Sequence, residues 1–194
     1  MSLLEKVPLE RASDFAAHMT CFLWFGDYMM DITSNCSSSS CGSLVGNGIH
    51  GRFIDYQPTD AFKKFCRDVI SATQVSHSVI LLSLLYTARM KMNYPTIKGQ
   101  NGSEYRTFTC ALMLANKFLD DNTYTNKTWS EVTNIPVTEI NMMEKEFLSS
   151  LDYQLYVSEQ QYFEWVLPPL KRSVEEAFVD GMTVSPSKRS NSVV

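Results

Sequence analysis

Two stretches of this chain are apolar on nearly every side of a helix, and they constrain its fold more than anything else in the sequence. Between His77 and Lys91, the residues Val79, Ile80, Leu81, Leu82, Leu84, Leu85 and Tyr86 leave almost no polar face. Between Glu104 and Leu119, Tyr105, Phe108, Ala111, Leu112, Leu114, Ala115 and Phe118 do the same. A helix of this kind cannot lie on a surface, so both belong at the centre of a bundle with amphipathic helices packed around them. Neither is a membrane span. The longest strongly apolar run, Val79 to Tyr86, is interrupted by Ser83 and falls far short of the roughly 18 residues required.

The surrounding segments supply the amphipathic partners. Phe62, Phe65, Cys66, Val69 and Ile70 recur at i, i+3, i+4, i+7 and i+8, with Lys63, Lys64, Arg67 and Asp68 opposite. Asn93-Tyr94-Pro95 stops the first apolar helix, and Gly102-Ser103 caps the second. Thr128-Trp129-Ser130-Glu131 reads as a capping box opening a short helix. Pro136 starts a longer one through Leu151, with Ile140, Met143, Phe147 and Leu151 on one face. Ahead of the bundle, Ser13 is expected to cap a helix to about Ile32, with Phe15, Met19, Phe22, Met29 and Met30 on one stripe and Trp24 off it as a second apolar surface. Behind it, Ser158 to Gln161 forms another capping box before Tyr162, Phe163, Trp165 and Val166, ended by Pro168-Pro169. No segment alternates with period two, so the fold class is all-α, with about five helices between Phe53 and Tyr156. The expected organisation is a helical extension over 1–32, a Ser/Gly-rich linker over 33–52, the bundle over 53–156, a second helical extension over 157–180 and a disordered tail over 181–194.

Composition excludes several function classes. The formal charge is −4, so no global basic field draws the chain to nucleic acid or to an anionic membrane. Five cysteines (21, 36, 41, 66, 110) and three histidines (18, 50, 77) make none of the paired spacings of a zinc site, so no metal is expected. No secretory leader opens the sequence, and reduced thiols inside the cell, in nucleus and cytoplasm, are the expectation. Gly46 to Gly51 spells G-x-G-x-x-G, but it follows a serine tract and opens no helix, which removes the strand-turn-helix context a dinucleotide site needs. With no nucleophile elbow, metalloprotease or phosphate-loop pattern either, the chain reads as a non-enzyme without a cofactor.

The anomalies are charges in apolar places. Counted at about 100° per residue from Ile140, Leu151 falls near 20°, Glu144 near 40° and Leu148 near 80°, so a carboxylate interrupts the apolar stripe. On the central helix Arg106, Cys110, Met113 and Lys117 line up at i, i+4, i+7 and i+11, a row roughly 16 Å long and basic at both ends. Lys117 and Glu144 are either a bridge holding two helices or a seam left open for another protein, offering its main chain a donor and an acceptor. Charge is also segregated. Residues 61–98 carry six basic groups and one acidic, net +5, and residues 118–160 carry eight acids and two lysines, net −6. Such patches either are solvated surface or steer a complementary partner. Near the C-terminus, Ser185-Pro186-Ser187-Lys188 has the form favoured by proline-directed kinases, making Ser185 a candidate phosphorylation site.

Phe65-Cys66-Arg67-Asp68-Val69-Ile70, Val79 to Arg89, Gly102 to Arg106, Ala111 to Asp121 and Met143 to Leu148 together resemble the cyclin box. More narrowly they resemble the fungal PCL-type cyclins, through Asn122-Thr123-Tyr124-Thr125-Asn126-Lys127-Thr128-Trp129. The resemblance spans residues 58–168 and implies a single five-helix box with flanking helices. It also implies a regulatory subunit that binds and activates a cyclin-dependent kinase, with Lys117, Glu144 and Arg106 at the kinase and no chemistry of its own. It departs from cell-cycle cyclins at Tyr86-Thr87-Ala88-Arg89-Met90, where Ala88 replaces an aspartate that pairs with the first helix. The rival readings are a cyclin-fold transcription-factor or nucleic-acid-binding module, and a kinase-free scaffold.

Overall fold

A computed structural model describes residues 8–26 and 57–162. Six helices run in chain order: α1 (Leu9–Phe25), α2 (Asp60–Thr73), α3 (His77–Asn93), α4 (Ser103–Leu119), α5 (Asn126–Thr133) and α6 (Val137–Ser150). A further helical turn begins at residue 159, and the described residues contain no strand. Among the described residues the expected all-α architecture is present, with α2–α6 as the five helices expected between Phe53 and Tyr156. The 33–52 linker, the Gly46–Gly51 pattern, Cys36, Cys41, His50 and Ser185 lie outside the described residues.

The two helices that are apolar all round occupy the centre. Every residue of α3 from Val79 to Ala88 is buried, as is every residue of α4 from Thr107 to Asn116. α2 lays one stripe, Phe62, Cys66, Val69 and Ile70, against them. Phe62 meets Tyr105 edge-on at 5.0 Å and Phe108 at 6.0 Å, which ties α2 to α4 through aromatic contacts. α5 is short, but it carries Trp129 into the core at 0% exposure. The Tyr124 hydroxyl just ahead of it donates to Thr73 O at 3.0 Å.

Three expectations at helix ends need correction. α1 begins at Leu9 behind Pro8 and ends at Phe25, short of the expected Ile32, because Gly26 turns extended; Ser13 is a buried interior residue whose hydroxyl donates to Glu10 O at 2.9 Å. α5 is capped by Thr125, whose side chain accepts from the Thr128 amide, so the helix opens three residues before the expected box. Trp24 is no second surface. It is 8% exposed, and its indole N–H donates to Ser103 Oγ at 2.6 Å. The loop between α3 and α4 folds over this end of α1. A Cβ on Gly99 would lie 2.7 Å from Phe25 Cδ1 and from Trp24 Nε1, so the chain passes there only as glycine. Beneath the loop, buried Lys91 donates to Trp24 O at 3.1 Å and Ile97 O at 2.6 Å, with its ammonium 5.7 Å from the Trp24 ring.

On the other side of α3, Tyr86, Arg89 and Asn93 follow at helical spacing and grip the chain after α6. Tyr86 donates to Leu155 O, Arg89 to Gln154 O and Tyr156 O, and Asn93 to Ser150 O. This holds the turn in which Asp152 and Tyr153 both take left-handed backbone angles, φ 50° and 57°. Arg89 also reaches Gln161 Oε1 at 3.3 Å. That glutamine forms the expected reciprocal box with Ser158: each backbone amide bonds the other's side chain at 3.2 Å.

The segregated charges do not build a basic face. Of the six cations in 61–98, Lys91 is buried, Arg89 is spent on carbonyls, Arg67 pairs with Asp14 at 3.2 Å and Lys63 faces Asp60 at 3.9 Å.

Candidate functional site

The site is built at the C-terminal end of α4, where the central helix emerges from the core. Its N-terminus is fixed by Gly102 in a left-handed conformation, φ 90°, and by Glu104, whose carboxylate accepts from the Gly102 amide at 2.7 Å. A negative side chain there suits the positive end of the helix dipole. At the other end Asn116 Nδ2 donates to Asp120 Oδ2 at 2.9 Å, which gives a purpose to an acid placed against the dipole. One residue beyond Asn116, the buried run stops. Lys117 is half-buried, and Phe118 and Leu119 are 45% and 48% exposed.

Lys117 and Glu144 meet across α4 and α6, with Lys117 Nζ donating to Glu144 Oε1 at 2.6 Å. Their side chains keep 30% and 20% of their surface in solvent, so the pair stands at an edge and is not sealed in the core. Asn126, the first residue of α5, joins them. Its Oδ1 accepts from Lys117 at 2.5 Å, and its Nδ2 donates to Glu144 Oε2 at 2.6 Å and to Asn141 Oδ1 at 2.7 Å. Partial burial alone raises the Glu144 carboxyl. The hydrogen bonds from Lys117 and Asn126, with the lysine's charge, outweigh that and hold it below the ordinary glutamate range. Asn126 is the member of this cluster that the sequence reading missed. It lies 9 and 18 residues from its partners, and a polar residue at a helix start reads as a capping group.

Arg106 stands apart from this network. It sits at the other end of α4, its side chain 61% exposed, and pairs with Glu139 at the start of α6. The row that joins it to Lys117 dips into the core between them, where Cys110 and Met113 are 2% and 0% exposed. Two ion pairs therefore stitch α4 to α6, one at each end of the row. No group of three or more histidine, cysteine or carboxylate side chains among the described residues converges as a metal site would.

A donor count defines what the Lys117 cluster can do. An ammonium has three N–H groups, and a carboxylate has about four lone-pair positions. Glu144 and Asn126 take two of the three lysine donors, and Lys117 and Asn126 take one position on each carboxylate oxygen. One donor and two acceptor positions are left without breaking any bond in the cluster. Such a site offers an approaching main chain a place for one carbonyl and one amide.

The cyclin family model matches residues 10–155, from α1 to the turn after α6. The PHO85 cyclin CLG1 of Saccharomyces cerevisiae is 35% identical over 117 residues, covering 58% of this chain and 26% of that protein. The G1/S-specific cyclin pas1 of Schizosaccharomyces pombe is 30% identical over 112 residues, covering 54% and 26%. Cyclin-U4-1 of Arabidopsis thaliana is 26% identical over 128 residues, covering 66% and 60%. The matched region thus spans about a quarter of the first two relatives.

Proposed function

From the premise that the chain belongs to the cyclin family, we propose that it is the regulatory subunit of a cyclin-dependent Ser/Thr kinase, which it binds through the Lys117–Glu144 edge and activates allosterically. The carrying observation is that edge itself: an ion pair with one donor and two acceptor positions to spare, partly exposed to solvent, beside exposed Phe118 and Leu119. Phe118 and Leu119 supply apolar surface for such an interface, and the ion pair beside them orients a partner's backbone. Arg106, apart from that cluster at the other end of α4, retains most of its donors beyond the bond to Glu139 and serves as a second contact to the kinase. Docking moves the kinase's αC helix so that its glutamate meets the lysine on the nucleotide phosphates; all the chemistry belongs to the kinase. The likeness to proteins named as PHO85 cyclins supports a kinase of the PHO85 type as partner.

The test is affinity for recombinant Saccharomyces cerevisiae PHO85 before and after Lys117→Ala with Glu144→Ala. The pair lies at the edge of the bundle, its side chains 30% and 20% exposed, so helical content and cooperative unfolding persist, whereas binding falls by at least about tenfold. Unchanged binding by the folded double variant overturns the reading. Should that variant unfold, the isosteric Glu144→Gln carries the same test.

A further inference from the structure

We propose that Asn126 is a positioning residue that holds Lys117 and Glu144 in their partner-ready arrangement before any partner arrives, so that its loss weakens association although it contributes no contact to the partner. This rests on the reading of the Lys117–Glu144 edge given above. A lysine and a glutamate joined by a single bond at a partly exposed edge remain free to turn about it. Each loses rotamer freedom only when a partner orders it, and that cost is subtracted from affinity. Asn126 removes the freedom in advance by bonding both members from opposite ends of one amide, Oδ1 to the lysine and Nδ2 to the glutamate.

Its own orientation is fixed as well. The second Nδ2 hydrogen goes to Asn141 Oδ1, and the backbone beneath is the first turn of a helix capped by Thr125 and anchored by buried Trp129. An amide suits the position because its oxygen accepts from the ammonium while its NH2 group donates to the carboxylate and keeps a second hydrogen for Asn141. Aspartate at this position keeps the acceptor but sets a second negative charge against Glu144. Alanine removes both bonds. Both Nδ2 hydrogens and one of the two Oδ1 lone pairs are spent within the cluster, which is why the effect runs through the pair.

The experiment is a binding cycle with PHO85 using four chains: the parent, Asn126→Ala, Lys117→Ala with Glu144→Ala, and the triple variant. Losing one charge-assisted bond to each partner is expected to weaken binding about tenfold in Asn126→Ala. In the background that already lacks Lys117 and Glu144, the same change is expected to have less than about a twofold effect, because there is nothing left to position. An Asn126 effect of equal size in both backgrounds overturns the proposal, since the residue then acts by direct contact or through the fold. A parent-like Asn126→Ala overturns it too. If instead the Lys117/Glu144 variant binds like the parent, the underlying reading has failed. A second readout needs no kinase. In the isolated chain, carboxyl NMR titration of Asn126→Ala must show Glu144 ionising at higher pH than in the parent, and an unmoved titration refutes the positioning.

Discussion

Replacing Lys91 with methionine tests how α1 is held to the rest of the molecule. The side chain is 7% exposed, and its ammonium donates to two carbonyls from different elements, Trp24 O at 3.1 Å and Ile97 O at 2.6 Å. Methionine keeps the apolar stem and its packing while removing the charge and both bonds. Hydrogen bonds to charged groups contribute about 1.5–3 kcal/mol each. Two effects reduce the sum: the cost of burying an ammonium disappears, and Ile97, 40% exposed, has water within reach of its segment. A net loss of about 2–3 kcal/mol remains, carried mainly by the Trp24 carbonyl under the loop. For a chain of this size that corresponds to a fall in Tm of about 5–10 °C, and to a urea midpoint lower by about 1–2 M at unchanged slope. Hydrogen exchange localises the effect, with amides at the end of α1 losing protection before those of α3 and α4. A Lys91→Met chain as stable as its parent, or more so, refutes the reasoning: the ammonium would then be tolerated by the core and would not fasten it.

Glu144→Gln is expected to flatten the acid limb of stability. A carboxyl whose native pKa is lowered contributes fully above its unfolded pKa, about 4.3. That contribution is lost as pH falls through the lower native value, because the unfolded chain takes up the proton first. Denaturant titrations between pH 7 and pH 2 then show a slope smaller by up to about one proton in the variant, and superimposable limbs would contradict this. The buried thiols give an independent check of the core. Burial pushes Cys21 up to about 12, with the charge of Glu104 adding to it, and burial raises Cys66 and Cys110 further. Iodoacetamide at pH 8 followed by peptide mapping is expected to leave these three unlabelled in the native chain and label them in urea, and rapid native labelling would disprove their placement.

How much of this was legible in the sequence depends on whether the signal was local. α2, α3 and α4 were legible because a stripe, or the lack of a polar face, fixes a helix and its depth together, and the stop at Asn93-Tyr94-Pro95 and the cap at Gly102 are written in backbone chemistry. The start of α5 was not. Thr125 and Thr128 each stand directly ahead of a plausible first turn, and what separates them is the tertiary demand that Asn126 reach α4 and α6. Trp24 was misplaced because a helical wheel knows only its own helix, while the loop that covers the indole arrives from residues 94–102. At the site, the Lys117–Glu144 pair showed itself as two charges in apolar company. Asn126, uncharged and at a helix start where polar residues are ordinary, gave no contrast to notice.

The contacts of α3 have a mechanical consequence. Lys91 faces one side of its axis and holds the end of α1, while Tyr86, Arg89 and Asn93 face the opposite side and hold the segment after α6. Tension drawn between residues 26 and 157 therefore converges on a single rod from two flanks. Such a molecule yields all at once when the rod gives way, instead of unravelling helix by helix from an end.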